Sequence, residues 1–297
     1  MRIFITGATG FVGHHVVQTL VQNGHTVRCL IRTPQPALKN NPHIETVIGD
    51  VTQPDGLAKA MTGCDAVIHL VGIIRAVPQQ GITFEKLHIE ATRNILTATS
   101  EAGVSRYLHM SANGASADGP EAYATSKWHA EELVRDSPLN WTIFRPSLIF
   151  GPGGDFARML FQQVRLLPVV PVIGDGHYQL TPVAVHDVAL GFNNALTTSD
   201  AVSKIYHCCG PQPCSYNELL DQVAATLGRK HVVKLHQPLW LMQPLAHLFE
   251  RFRFFPVTSD QISMLIRGNT CSPEPWASEL KISPTPLADT IKKALAG

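Results

Sequence analysis

The first thirteen residues constrain this chain more than any later stretch. Ile3, Phe4 and Ile5 form a short apolar run that leads directly into Gly7-Ala8-Thr9-Gly10-Phe11-Val12-Gly13. Beyond it, Val12, Val16 and Leu20, with Val17 and Val21, repeat at the spacing of one helix face. Strand, glycine turn and amphipathic helix in that order make a phosphate cradle. The glycines let backbone N–H groups approach a pyrophosphate, and the helix points its positive end at the same charge. Gly7, Thr9, Gly10, Phe11, Val12 and Gly13 are therefore candidate dinucleotide contacts; the competing explanation is a plain connecting turn.

Strands and helices alternate through the first half. Val27 to Ile31, Ile44 to Ile48, Ala66 to Leu70, Tyr107 to Met110 and Trp141 to Phe144 read as short buried strands. Phe84, Leu87, Ala91, Ile95, Ala98 and Ala102 supply a helical period between two of them. This rhythm predicts an α/β fold, a doubly wound parallel sheet of Rossmann type, with ligands at the carboxyl ends of the strands. From about Gly151 prolines become frequent and the alternation stops. The expected organisation is a nucleotide-binding domain over 1–150 and a smaller, interleaved C-terminal substrate lobe over 151–297, with 183–210 returning to the first domain.

Composition excludes several classes of function. A formal net charge of +1, with 16% charged residues and no block of like charge, provides no basic surface for nucleic acid. No apolar run reaches the roughly 18 residues of a membrane span. The N-terminus reads as a strand and not as a signal segment, so the expectation is a soluble cytoplasmic protein. Six cysteines show neither C-x-x-C nor zinc spacing, which predicts reduced, buried thiols. Fourteen histidines form no ligand motif, and no metal is expected.

The second strand of a dinucleotide fold normally ends in an acid, about 20 residues past the glycines, that grips the ribose 2′-hydroxyl of NAD. Here that position falls at Ile31-Arg32-Thr33, and the next carboxylate is Glu45. A guanidinium at Arg32 attracts a 2′-phosphate, which favours NADP(H) over NAD(H); the alternative is a solvated loop cation. Asp50 and Val51, after the third strand, are placed to meet the adenine amino group. Leu70, Val71 and Gly72, after the fourth, allow the backbone to pass close to the cofactor.

Tyr123-Ala124-Thr125-Ser126-Lys127 sets a phenol and an ammonium four apart on one helix face. A lysine so placed favours the phenolate, which suits the tyrosine to give or take a proton at an alcohol or carbonyl. Ser111 ends the fifth strand, where its hydroxyl is expected to hold the substrate oxygen. Ser111, Tyr123 and Lys127 are the candidate catalytic residues.

Together, the glycine pattern, Asp50, Ser111, Tyr123 and Lys127 resemble the short-chain dehydrogenase/reductase superfamily, its extended or atypical branch in particular. Arg145-Pro146-Ser147-Leu148-Ile149-Phe150-Gly151-Pro152-Gly153, Val172-Ile173-Gly174-Asp175-Gly176 and Thr181 to Ala189 narrow the likeness. They resemble the family of the NADPH-binding accessory subunit of respiratory complex I and its bacterial relatives. The resemblance runs from Met1 to about Gly210. It implies a doubly wound fold, bound NADP(H) contacted also by Tyr123, Lys127 and Pro146, and two roles: an oxidoreductase or epimerase-like enzyme, or a non-catalytic subunit or assembly factor of a respiratory or quinone-related complex. A sensor of the NADP(H) ratio is a third class. In one place the chain departs from the family pattern: the asparagine that helps a water reach the lysine is replaced by His88.

The last third adds an apolar stretch. Leu239 to Phe255 carries Trp240, Leu241, Met242, Leu245, Leu248, Phe249, Phe252, Phe254 and Phe255 against three charged residues. Core packing of an amphipathic helix is one explanation. The other is a lid over an apolar small-molecule substrate, or a peripheral contact of 239–255 with the inner membrane or a respiratory complex.

Overall fold

The computed structural model describes residues 1–39, 41–249 and 257–296. The chain folds as two units: Met1–Pro146 with His186–His207 and Glu274–Ser283, and Ser147–Val185 with Cys208–Pro273 and Pro284–Gly297. Among the described residues no helix is long and apolar enough to cross a membrane.

The first unit is built on a seven-stranded sheet: β1 (Arg2–Thr6), β2 (Thr26–Ile31), β3 (Ile44–Ile48), β4 (Ala66–His69), β5 (Arg106–Met110), β6 (Asn140–Pro146) and β7 (Lys204–Cys208). Their spatial order is β7-β6-β5-β4-β1-β2-β3, and β1 to β6 pair in parallel. Ile3, Phe4 and Ile5 are fully buried because helices cover both faces of β1. The sheet winds outward in both directions from the β1/β4 pair, and that switch point is where such sheets bind ligands. The helix after the glycine turn, α1 (Phe11–Gln22), buries Val12, Val16, Val17 and Leu20 as its period requires.

The helical stretch foreseen from Phe84 to Ala102 begins as a wide π turn over Glu85–Glu90 and continues as α2 (Ala91–Glu101). π turns inside helices are frequent at functional positions, and this one carries His88. Next comes α3 (Ala122–Arg135), whose buried face consists of Ala124, Lys127, Ala130, Glu131 and Val134, with Ser126. Two charged residues on a buried face need partners; both have them, as described below. The segment Glu274–Ser283 closes the unit. Trp276, fully buried, lies where a side chain at Gly191 would strike it, and Tyr206 Oη donates to Glu279 at 2.7 Å.

In the second unit, helices Asp155–Leu166, Tyr216–Thr226 and Leu287–Ala296 enclose a core of Leu160, Val164, Leu219, Val223 and Ile291. A two-stranded parallel ribbon, Val169–Ile173 with Val233–Gln237, adds Val170 and Val172 to that core. Two helices follow, Leu239–Phe249 and Ser259–Arg267; Phe252, Phe254 and Phe255 of the apolar stretch lie outside the described residues.

The cysteine expectation holds for four of the six, since Cys29, Cys64, Cys208 and Cys214 are buried and joined in no disulfide. It fails for the other two. Cys209 and Cys271, 62 residues apart, are brought to a Cα separation of 5.9 Å and joined as a disulfide. No local spacing rule reveals a pairing that tertiary folding alone creates.

Candidate functional site

The glycine turn has the geometry of a cradle that side chains would fill. Gly7 has φ of +76°, and a Cβ there would lie 3.0 Å from the Leu70 carbonyl carbon and 3.1 Å from the Val71 nitrogen. A Cβ on Gly13 would fall 2.0 Å from the Gly7 carbonyl oxygen. Gly10 caps α1 without a side-chain cap, and the first turn holds no acid. The N–H groups that open the helix, with their dipole, are thus left to an anion. Thr9 and Gly10 are exposed at the mouth, Phe11 is half-buried, and Val12 and Gly13 are buried beneath it. These residues fit a dinucleotide pyrophosphate.

The other proposed cofactor contacts fall at strand ends of the same sheet. Arg32, just past β2, is exposed and makes no hydrogen bond or ion pair among the described residues. Asp50 Oδ1 accepts from both the backbone N–H and the hydroxyl of Thr52, each at 2.9 Å, so one of its oxygens is committed to shaping its own turn. The Val51 carbonyl accepts from Asn94. Leu70 is buried, and Gly72 lies where a Cβ would be 2.9 Å from Lys127 Nζ and 3.4 Å from His88 Nε2. Only glycine leaves the lysine its place. Pro146 is buried at the end of β6, and its carbonyl accepts from the Asn113 N–H at 2.9 Å.

Tyr123 and Lys127 project from one face of α3. Lys127 Nζ donates to the Met110 carbonyl at 3.1 Å, which ties the ammonium to the end of β5. Burial pulls this lysine down to about 8, against the Glu131 carboxylate, which acts to raise it. The phenol is pushed up to about 12 by burial. Desolvation therefore outweighs the phenolate-favouring effect of the lysine that its spacing suggested. The Tyr123 ring meets Phe84 and His88 edge-on, with centroids 5.9 and 5.6 Å away.

His88 is buried, with both ring nitrogens engaged. Nε2 accepts from the Ile73 N–H at 3.0 Å, and Nδ1 lies 2.8 Å from Ser126 Oγ, which itself donates to the Tyr123 carbonyl. The chain of donors fixes the proton on Nδ1 and leaves the ring neutral. Burial, reinforced by the Lys127 charge, holds it down to about 2. Beneath it, His69 and His109 pair across β4 and β5 with ring centroids 5.6 Å apart. His69 contacts Thr6 Oγ1, and burial takes its pKa down to about 3.

Ser111 is at the end of β5 as expected, but its hydroxyl is differently employed. It donates to Glu131 Oε1 at 2.5 Å, and Arg145 grips both oxygens of that carboxylate at 2.8 and 2.6 Å. Arg135 adds a third contact at 3.1 Å, and both guanidinium groups lie against the Trp128 ring. As placed, Ser111 offers a substrate an acceptor oxygen and not a proton. Glu131 escaped the sequence reading; the signal was available, since Tyr123, Lys127 and Glu131 stand four apart along one helix face. Among the described residues no cluster suits a metal ion.

Comparison with known proteins agrees with this geometry. A family model described as NAD(P)H-binding matches residues 7–158. The 3-beta-hydroxysteroid dehydrogenase of Mycolicibacterium neoaurum is 28% identical over 77% of this chain and 71% of its own length. The ceramide reductase of Caulobacter vibrioides is 34% identical over 74% of this chain and 64% of its own. The mitochondrial NADH dehydrogenase [ubiquinone] 1 alpha subcomplex subunit 9 of Dictyostelium discoideum is 26% identical over 97% of this chain and 82% of its own. Among solved structures, gox2253 superposes with a TM-score of 0.79 at 27% identity, covering 99% of this chain and 97% of that one. With the fingerprint, the switch-point sheet and the family model all falling on the same residues, the chain belongs to the NAD(P)H-binding family, in its short-chain dehydrogenase/reductase-like branch.

Proposed function

We propose that this protein is an NADP(H)-dependent oxidoreductase that interconverts an alcohol and a carbonyl on an apolar small molecule. The observation that carries this reading is the Tyr123–Lys127 pair on α3, with Lys127 held against Gly72 and the Met110 carbonyl at the carboxyl ends of β4 and β5. The cofactor, when bound, donates or accepts the hydride. Gly7 to Gly13 hold its pyrophosphate and Arg32 its 2′-phosphate; Asp50 and Val51 flank the adenine, and Leu70, Val71, Gly72 and Pro146 line the passage. Lys127 anchors the ribose and presents positive charge to the phenol. Tyr123 passes the proton to or from the substrate oxygen. Ser111 holds that oxygen once its hydroxyl turns from Glu131. An apolar substrate is supported by relatives named for a hydroxysteroid and a ceramide.

Two observations favour a second reading, a non-catalytic NADP(H)-binding subunit or assembly factor of a respiratory complex. The complex I subunit relative covers nearly the whole chain, and His88, with both nitrogens bound, has no ring nitrogen left to hold a water for the lysine. In either case the peripheral contact is made through the helix Leu239–Phe249, which exposes Trp240, Leu241 and Leu248, with the protein otherwise cytoplasmic.

Incubating the purified chain with NADPH and a panel of 3-ketosteroids and long-chain ketones, while following nicotinamide absorbance, tests the choice. Oxidation of NADPH in step with alcohol formation is expected. Tight NADPH binding with no turnover across the panel assigns the chain to the second reading.

A further inference from the structure

Eleven large hydrophobic side chains are exposed among the described residues, and eight of them belong to one run of elements in the second unit. Leu166 and Leu167 end the helix Asp155–Leu166 and lead into the ribbon. In the ribbon Val169 pairs with Val233, and Pro171 with Leu235. Because side chains alternate along a strand, Val170 and Val172 enter the core while Val169, Val233 and Leu235 point outward. A Cβ at Gly174 would lie 3.5 Å from Leu239, so the helix Leu239–Phe249 starts against the end of this ribbon. That helix exposes Trp240 (75%), Leu241 and Leu248 (57%). A soluble surface scatters such residues singly; a concentration marks an interaction site.

From Phe156 to Gly174 and from Gln222 to Phe249 there is no aspartate or glutamate, while Arg158, Arg165, Arg229, Lys230 and Lys234 fall within those stretches. Within these segments the charges are of one sign, with Asp155, Asp175, Asp221 and Glu250 next to their ends in the sequence. Asp155 pairs with Arg158, and Asp221 with Lys234. Arg165, Arg229 and Lys230 have no carboxylate partner among the described residues. Arg229 is pinned beside the leucines, its Nη1 donating to the Val164 and Leu167 carbonyls. An open groove of about 430 Å³ starts at Leu166 and has Arg158, Phe161 and Arg165 on its wall.

We infer that this face docks on an anionic lipid surface. Exposed tryptophan and leucine beside cations without carboxylate partners are what the boundary between headgroups and acyl chains selects. Leu235, Trp240 and Leu248 enter the apolar boundary. Arg165, Arg229 and Lys230 meet the phosphates. This commits the peripheral contact proposed above to lipid; it does not depend on which reaction, if any, the first unit performs.

The test is vesicle flotation of the full chain with phosphatidylcholine alone and with equal parts of phosphatidylcholine and phosphatidylglycerol. Flotation with the anionic vesicles, lost on raising salt, is expected. Two double variants should each bind roughly tenfold more weakly or worse: Leu235→Ser with Trp240→Ser, and Arg165→Glu with Lys230→Glu. A far-ultraviolet circular dichroism spectrum and thermal transition matching the wild type show that each variant is folded; should the serine pair disturb folding, the charge pair alone decides. No flotation with anionic vesicles, or undiminished flotation of the charge pair, overturns the inference. So does a wild-type dimer that the serine pair dissolves without altering flotation, which assigns the face to a second copy of the chain.

Discussion

Lys127 experiences two opposing effects. Burial disfavours its charge and Glu131, one turn along, restores part of it, leaving the lysine at about 8. Replacing Glu131 by glutamine removes the restoring charge, so the lysine should titrate lower still, which carbon-13 labelling of its side chain would report. The same change leaves Arg145 without its buried partner, and breaking such a pair costs about 3–5 kcal/mol of stability, measurable by urea unfolding. His88 and His69 carry a second consequence. Their folded values, about 2 and about 3, lie below the ordinary 6.5. Between those limits the unfolded chain binds protons that the folded chain does not, so stability falls as pH drops through 6.5. The loss approaches about 1.4 kcal/mol per pH unit for each histidine. Urea unfolding between pH 4 and pH 7, roughly the window this linkage defines, should show that slope, and His88→Asn should reduce it by about one proton's worth. At this scale Tyr123 and Lys127 were legible because both stand on one helix. The occupation of Ser111 by Glu131 was not, because β5 and α3 meet only in the folded chain.

Among the elements, the glycine turn of β1 and α1 is the most constrained. At Gly13 even a methyl group collides with the Gly7 carbonyl. Gly13→Ala should therefore abolish NADPH binding in equilibrium dialysis, with a thermal transition that survives at lower temperature. Retained affinity would mean the turn is not the pyrophosphate site. The strands around it could be read from sequence because a parallel strand buried on both faces is a continuous apolar run. The π turn at Glu85–Glu90 could not. Its residues keep a helical period, and the contacts of His88 with Ile73 and Ser126 join it to residues distant in the sequence.

For the whole molecule, cofactor choice and reaction are the open consequences. If Arg32 meets a 2′-phosphate, NADPH should raise the melting temperature more than NADH at equal concentration, and Arg32→Ala should erase the difference. Equal stabilisation by both would return Arg32 to solvent. Sequence exposed the sheet but not its closure by Glu274–Ser283 or the Cys209–Cys271 link, since both join residues far apart in the chain. Comparing Tyr123→Phe with the wild type for NADPH-dependent reduction of an accepted ketone, with NADPH affinity measured in parallel, tests the proton transfer proposed for Tyr123. The phenylalanine variant should lose roughly a hundredfold to ten-thousandfold in turnover while binding NADPH as before; turnover at the wild-type rate would contradict the assignment.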